Sequence, residues 1–399
     1  MTVIDKLVIG KLSDQKLSDQ WASTMYGNKL NPNCVLAHGD ETVDGRNLLI
    51  TQLNLREIRE NNERLMLAPQ AAFAFGAGNR DKSENSDKYR TCFQKDKDRI
   101  LHSSLFRRLA GKTQVFIFPQ DHQRTRLTHA LEVTQVATAI SRALNLNSDL
   151  TEAIALGHDC GHGPGGHASE KALSVFLDEG FDHASFGADV ALKNLNLCQE
   201  TLDGIRNHSW SKPSPYTYEG QIVSWADRIA YICHDFEDAK TAGIVNDFDL
   251  PKEVQEVAGK TRYSQLNTFI TEVINSTKEF GVVSMRVEVA SALGTFRKFN
   301  YEKIYMRKES VEQSDRIIKL LRSLTEYFID HPEVLKELKG NSIDEQIQMN
   351  SAHNIFSSHQ SSTTQAVEFV AKMTDKYAVD LAVDRLGYDV NKLPMPIVT

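Results

Sequence analysis

Apolar positions recur at helical spacing through most of the chain rather than alternating as they would in strands. In QIVSWADRIAYICHDFEDAK (221–240), Ile222, Ala226, Ile229 and Cys233 fall on one face. In NSDLTEAIALGHD (147–159), Leu150, Ala153, Ile154 and Gly157 do the same, and Ser148 or Asp149 can cap the helix, with Glu152 three residues past Asp149 completing a capping box. SDRIIKLLRSLTEYFIDH (314–331) and AVEFVAKMTDKYAVDLAVDRL (366–386) read as further helices between short polar breaks. A small β element is expected near KTQVFIF (112–118). No internal repeat or low-complexity tract interrupts this pattern. The predicted fold class is all-α, predominantly helical with minor β elements.

Punctuation along the chain suggests three regions. Residues 1–60 form an N-terminal segment of uncertain structure, in which LNPNCVLAHGDETVDGRN (30–47) has the turn chemistry of a loop-rich or short-stranded stretch. Residues 61–330 form the main structured core, although AFGAGNRDKSENSDKYR (74–90) has the composition of an exposed connector. Residues 331–399 form a C-terminal helical region.

Composition narrows the class of partner. A chain of 399 residues, 41 % hydrophobic and 25 % charged, can bury a sizeable core. Its formal net charge of −7 does not indicate nucleic-acid binding or attraction to anionic membranes, so a ligand held in a pocket is expected. The five cysteines are odd in number, widely spaced and without a C-x-x-C pair, as in a reduced cytoplasmic protein. MTVIDKLVIGKLSDQK at the N-terminus lacks the apolar core of a signal peptide, and no run reaches the roughly 18 apolar residues of a membrane helix.

The chemistry concentrates in GHDCGHGPGGHASE (157–170). Adjacent His158 and Asp159 offer an imidazole nitrogen and a carboxylate oxygen, good donors for Mn²⁺, Mg²⁺, Fe²⁺, Co²⁺ or Zn²⁺. His129 in RTRLTHALEV and Asp227 in SWADRIAYICHD can supply the rest from other helices. His162 shares the face of His158 only if the helix continues, which GHGPGG makes doubtful. His167 and Glu170 become neighbours in a helix starting near His167, where a carboxylate can orient a proton-transferring imidazole. Asp227, Tyr231 and Asp235 fall on one stripe at i, i+4, i+8. From Lys88 to Arg126, ten Lys or Arg face three Asp, an excess suited to polyphosphate where side chains point inward. GKT at 111–113 is no P-loop, because the required glycine position holds Phe106.

The order H…HD…D resembles the HD superfamily of metal-dependent phosphohydrolases. The runs YRTCFQKDKDRILHSSLFRRLAGKTQVF (89–116), RTRLTHALEVTQVA (124–137), LTEAIALGHDCGHGPGGHASE (150–170) and IVSWADRIAYICHDFEDA (222–239) resemble its deoxyguanosine triphosphate triphosphohydrolase family. The likeness is collinear from about residue 63 to about residue 245 and continues more weakly over 290–310. It implies His129, His158, Asp159 and Asp227 as ligands of a divalent metal ion, and His167, Glu170 and His162 as catalytic residues. It further implies substrate contacts by Arg126 and Arg228 on the phosphate side, Gln114 and Asp235 at the sugar 3′-hydroxyl, Tyr231 against the 2′ position, and His183 of GFDHAS. Two positions depart from the family: Gly165 of PGGH replaces an aromatic expected beside the site, and Ala184 stands where an Asn commonly follows the histidine, so the expectation for both is a looser loop, a changed base preference or a lower activity.

The implied reaction is hydrolysis of a dNTP to deoxynucleoside and inorganic triphosphate, by attack at the α-phosphorus with departure of the 5′-oxygen. The family further implies a homo-oligomer, hexamer or tetramer, and dNTPs as allosteric activators. The rival readings are another HD nucleotidase or phosphodiesterase, and a nucleotide-sensing or nucleic-acid-binding protein on the same fold.

Overall fold

The computed structural model describes residues 26–38, 49–119, 121–340 and 361–394, together with 16, 18–19 and 22–23. The first fifteen residues, read above for a leader, and 39–47 of the turn-rich segment lie outside the described residues. The chain divides into two compact units, Met1–Leu53 and Asn54–Thr399. In the first, β1 (Asn28–Asn31) and β2 (Cys34–Leu36) pair antiparallel, with Asn28 opposite Leu36 and an irregularity between Lys29 and Asn31.

The second unit is helical: α1 (Arg56–Met66), α2 (Cys92–His102), α3 (Ser104–Arg108), α4 (Arg126–Ala143), α5 (Ser148–Gly157), α6 (His167–Leu173) and α7 (His183–Phe186) come first. They are followed by α8 (Gln199–Asn207), α9 (Tyr218–Thr241), α10 (Lys252–Ala258), α11 (Arg262–Phe280), α12 (Val287–Asn300), α13 (Lys308–Asp330), α14 (Pro332–Gly340), α15 (Ser362–Ala371) and α16 (Asp375–Leu386).

The centre is α5 packed against α2, α4 and α9. The predicted stripe of α9 is its buried face: Ile222, Ala226, Ile229 and Cys233 are all 0 % exposed, and each such isoleucine contributes roughly 1.5–3 kcal/mol by leaving water. On α5 the caps differ from the sequence reading. The N-cap is Asn147, whose side chain accepts from the Asp149 and Leu150 amides, because its backbone is extended while Ser148 is already helical. A second apolar cluster joins Ala168, Ala172 and Leu173 of α6 to Ile317, Leu320 and Leu324 of α13 and to Val367, Val370 and Leu381 of α15 and α16.

Three further expectations change. KTQVFIF forms no strand; it makes one isolated bridge, Thr113 to Thr125, and turns at Phe118 with φ 55°. The connector 74–90 is not simply exposed: the Arg80 side chain is buried within it and donates to Asp96, to the Ala77 and Asn196 carbonyls and, at 2.9 Å, to the Cys92 carbonyl. The stretch 366–386 is two helices broken after Ala371, where Thr374 starts α16 by accepting from the Tyr377 amide.

Candidate active site

Four side chains from three helices converge. Thr125 caps α4 and places Arg126 in its first turn and His129 one turn on, both buried. α5 ends at Gly157, so His158 and Asp159 leave the helix pointing inward, with His158 0 % exposed. Asp227 faces them from α9, its Oδ1 3.1 Å from His129 Nε2 and 3.7 Å from His158 Nε2. Asp159 lies 3.4 Å from His158 Nε2 and 3.9 Å from His129 Nε2.

This set fits a divalent ion. His158 Nδ1 donates to the Ala155 carbonyl at 2.6 Å, which leaves the lone pair on Nε2. That Nε2 is buried without a hydrogen-bond partner. One ligand atom each from His129, His158 and Asp227 can be chosen within 4.8 Å of one another. Burial raises the Asp159 and Asp227 carboxyls, but Arg126 beside Asp159 and His129 on Asp227 outweigh it and hold both below the usual carboxylate range. Both are therefore ionised.

Beside this cluster lies an array of imidazoles around Glu170. After the break at GHGPGG, His162 turns in and stacks on His183 with ring centroids 3.7 Å apart. Its Nε2 is 3.2 Å from Asp159 Oδ1. Gly161 permits this approach, since a Cβ there would stand 2.0 Å from the His183 carbonyl oxygen. His167 starts α6 and sets Nδ1 3.3 Å from Glu170 Oε2, the pairing that their spacing predicts. Glu170 also accepts from His183, with Nδ1 at 2.5 Å and the backbone amide at 3.2 Å. Burial opposes ionisation of Glu170, yet His167 and His183 outweigh it and hold the carboxyl well below its usual range.

All of these groups except His158 line one cavity of about 510 Å³. It is lined as well by Gln114, Arg228, Tyr231 and Asp235, of which Tyr231 and Asp235 belong with Asp227 to the predicted α9 stripe. Arg228 lies over the Trp210 ring at 3.8 Å. Tyr231 accepts from Arg297 Nε at 2.8 Å, and Tyr305 donates to Asp235 Oδ2. Asp235 Oδ1 and Gln114 Oε1 are buried acceptors without a partner. Arg126 donates to Asp159 Oδ2 at 2.6 Å, while its buried Nε is without a partner.

Most of the basic excess stays out of the cavity, a solvated surface being the default expectation for it. Of the ten Lys and Arg from Lys88 to Arg126, only Arg126 lines the cavity. Arg90, Lys95, Lys97, Arg99 and Arg124 are instead paired with carboxylates. Nor does Gly165 leave a gap. It has φ +71°, and a Cβ there would meet Ile317 Cγ1 at 2.8 Å, so α13 already fills the space assigned to an aromatic. Ala184 is packed at 0 % exposure.

Sequence reasoning missed His208, which holds Nδ1 on the Ile205 carbonyl at 2.8 Å and sets Nε2 3.3 Å from His183 Nε2. It also missed Arg297, Tyr301 and Tyr305, all lining the cavity. Their i, i+4, i+8 spacing repeats that of Asp227, Tyr231 and Asp235 and could have found them. The last turn there is π-type, with the Met306 amide donating to the Tyr301 carbonyl at 3.0 Å.

A helical scaffold that gathers H…HD…D from separate helices defines an HD-domain hydrolase, and residues 126–232 match the HD domain family. Residues 283–384 match the phosphohydrolase-associated domain. A deoxyguanosinetriphosphate triphosphohydrolase-like protein of Caldanaerobacter subterraneus is 39 % identical over 352 residues, covering 86 % of this chain and 97 % of its own. Proteins described in the same words from Clostridium perfringens and Clostridium tetani are 39 % and 37 % identical, covering 82 % and 74 % of this chain and 96 % and 90 % of theirs. The chain belongs to this deoxyguanosinetriphosphate triphosphohydrolase-like family of HD-domain proteins.

Proposed function

We propose that the protein hydrolyses deoxynucleoside triphosphates, dGTP among them, to deoxynucleoside and inorganic triphosphate with the help of a divalent metal ion. The observation that carries this reading is that His129, Asp159 and Asp227, the Glu170 array and two buried unpaired acceptors all line the same cavity. His129, His158, Asp159 and Asp227 would hold the ion, which when bound supplies Lewis-acid polarisation of the phosphate and activation of water. Arg126 balances charge gathering on the α-phosphate.

His167 moves the proton. With Nδ1 on Glu170, its Nε2 is the nitrogen that can exchange a proton with the reacting oxygens, and ionised Glu170 stabilises the imidazolium form. Gln114 Oε1 and Asp235 Oδ1 suit a donor such as the sugar 3′-hydroxyl. Tyr231, held by Arg297, limits the room for a 2′ substituent.

The test is incubation of purified protein with each dNTP and NTP under Mg²⁺, Mn²⁺ or Co²⁺, resolving triphosphate from other products. Deoxynucleoside with intact triphosphate is expected; stepwise phosphate or a nucleoside monophosphate would overturn the reading. His167→Ala should lower kcat about 10²–10⁴-fold, the range of a lost general acid or base.

A further inference from the structure

The break between α15 and α16 lies against the active-site loops, with Ala371, Met373 and Asp375 buried. Asp375, the first residue of α16, is 2 % exposed. Its Oδ2 accepts from the Thr113 amide at 2.9 Å and from the Thr113 hydroxyl at 2.5 Å. Its Oδ1 accepts from the Gly165 amide at 2.8 Å. One carboxylate thus ties two segments 52 residues apart in the chain, counted from Thr113 to Gly165. Thr113 precedes Gln114, and Gly165 lies between His162 and His167; all of these line the cavity.

Lys112 makes the reciprocal tie. It is 1 % exposed, and its Nζ donates to the His162 carbonyl and, at 3.1 Å, to the Ala371 carbonyl at the end of α15. Its own carbonyl accepts from the Arg126 amide at 3.2 Å. Lys112 thus meets the carbonyl end of α15, and Asp375 stands in the first turn of α16. Among the described residues, the hydrogen bonds of the Asp375 carboxylate go to active-site segments.

We propose that Asp375 and Lys112 are positioning residues: the α15–α16 break is a clamp that sets Gln114 against the His162–His167 turn. A displacement of about 1 Å in such groups costs on the order of 10²-fold in rate, so the clamp acts on turnover more than on ground-state binding. The kinetic half of this inference rests on the proposed dNTP hydrolysis; the structural half does not.

The experiment compares full-length Asp375→Asn with Leu381→Ala, which weakens the same helix pair through its apolar cluster without touching the clamp. For Asp375→Asn we expect kcat per folded protein to fall at least about tenfold with KM changed less than about threefold. Amide hydrogen exchange should rise at Thr113 and over residues 160–170. Leu381→Ala should lower the unfolding midpoint while keeping kcat and the 160–170 exchange close to wild type. Unaltered exchange in Asp375→Asn, or equal kcat in the two variants, would overturn the clamp. If wild-type protein releases no triphosphate from any dNTP, the functional reading fails and the exchange comparison still decides the clamp.

Discussion

Asp235 is buried with one oxygen on the Tyr305 hydroxyl and the other without a partner. Burial pushes its carboxyl up to about 7, against the pull of Tyr305 and His129. The folded protein therefore binds this proton more tightly than the unfolded chain. The stability it contributes is full below about pH 4 and lost as pH rises through about 7. In metal-free protein, Asp235→Asn should flatten this dependence, read as denaturant midpoints at about pH 5 and about pH 8. An unchanged slope would refute the assignment. Gly165 is a second residue whose neighbours decide its identity. Gly165→Ala should cost about 1–3 kcal/mol through positive φ and overpacking, and about 1 kcal/mol less in an Ile317→Ala background.

Among the elements, α5 matters most, because its last turn delivers His158 and Asp159. Asn147 fastens its other end, capping two amides and donating to the Ala72 carbonyl at 2.8 Å, while its own amide donates to Glu219. Asn147→Ala should destabilise the protein by about 1–2 kcal/mol in urea unfolding. Ser148→Ala should stay within about 0.5 kcal/mol; a reversed order would restore the cap predicted from sequence. The α9 stripe behaves more simply. Its apolar face is buried and its Asp227–Tyr231–Asp235 edge lines the cavity, so one periodicity reports both packing and site.

For the whole molecule, the site joins two apolar clusters: one contains the faces of α4, α5 and α9, the other those of α6, α13, α15 and α16. An ion held at their junction stabilises only the folded state. Supplying Mn²⁺ at about a hundred times its Kd should add about 2.7 kcal/mol, seen as a higher unfolding midpoint that a chelator reverses. Asp159→Asn should abolish the response. A midpoint indifferent to metal in wild-type protein would remove these four residues as ligands. Among the described residues no helix is long and apolar enough to cross a membrane.

Local chemistry was legible wherever spacing alone settles it. A 3.6-residue period states which face of α9 is buried, and His167 and Glu170 must meet once a helix begins at His167. The collinear motifs were likewise enough to name the family, because the order H…HD…D on separate helices is read without knowledge of how those helices pack. What stayed hidden depends on partners far along the chain. Arg80 reads as part of a polar connector until Asp96 and the Asn196 carbonyl surround it. The basic excess leaves open whether side chains point inward until carboxylates claim most of it, and Gly165 reads as a loosened loop until Ile317 packs against it. Asp375 resembles any acidic first-turn residue until folding brings Thr113 and Gly165 to it. Sequence by itself determined the helical class, the order of the H…HD…D residues and the family. Only the tertiary structure decided which charges are buried, which are paired and what holds the loops, because burial and pairing are properties of contacts between distant segments.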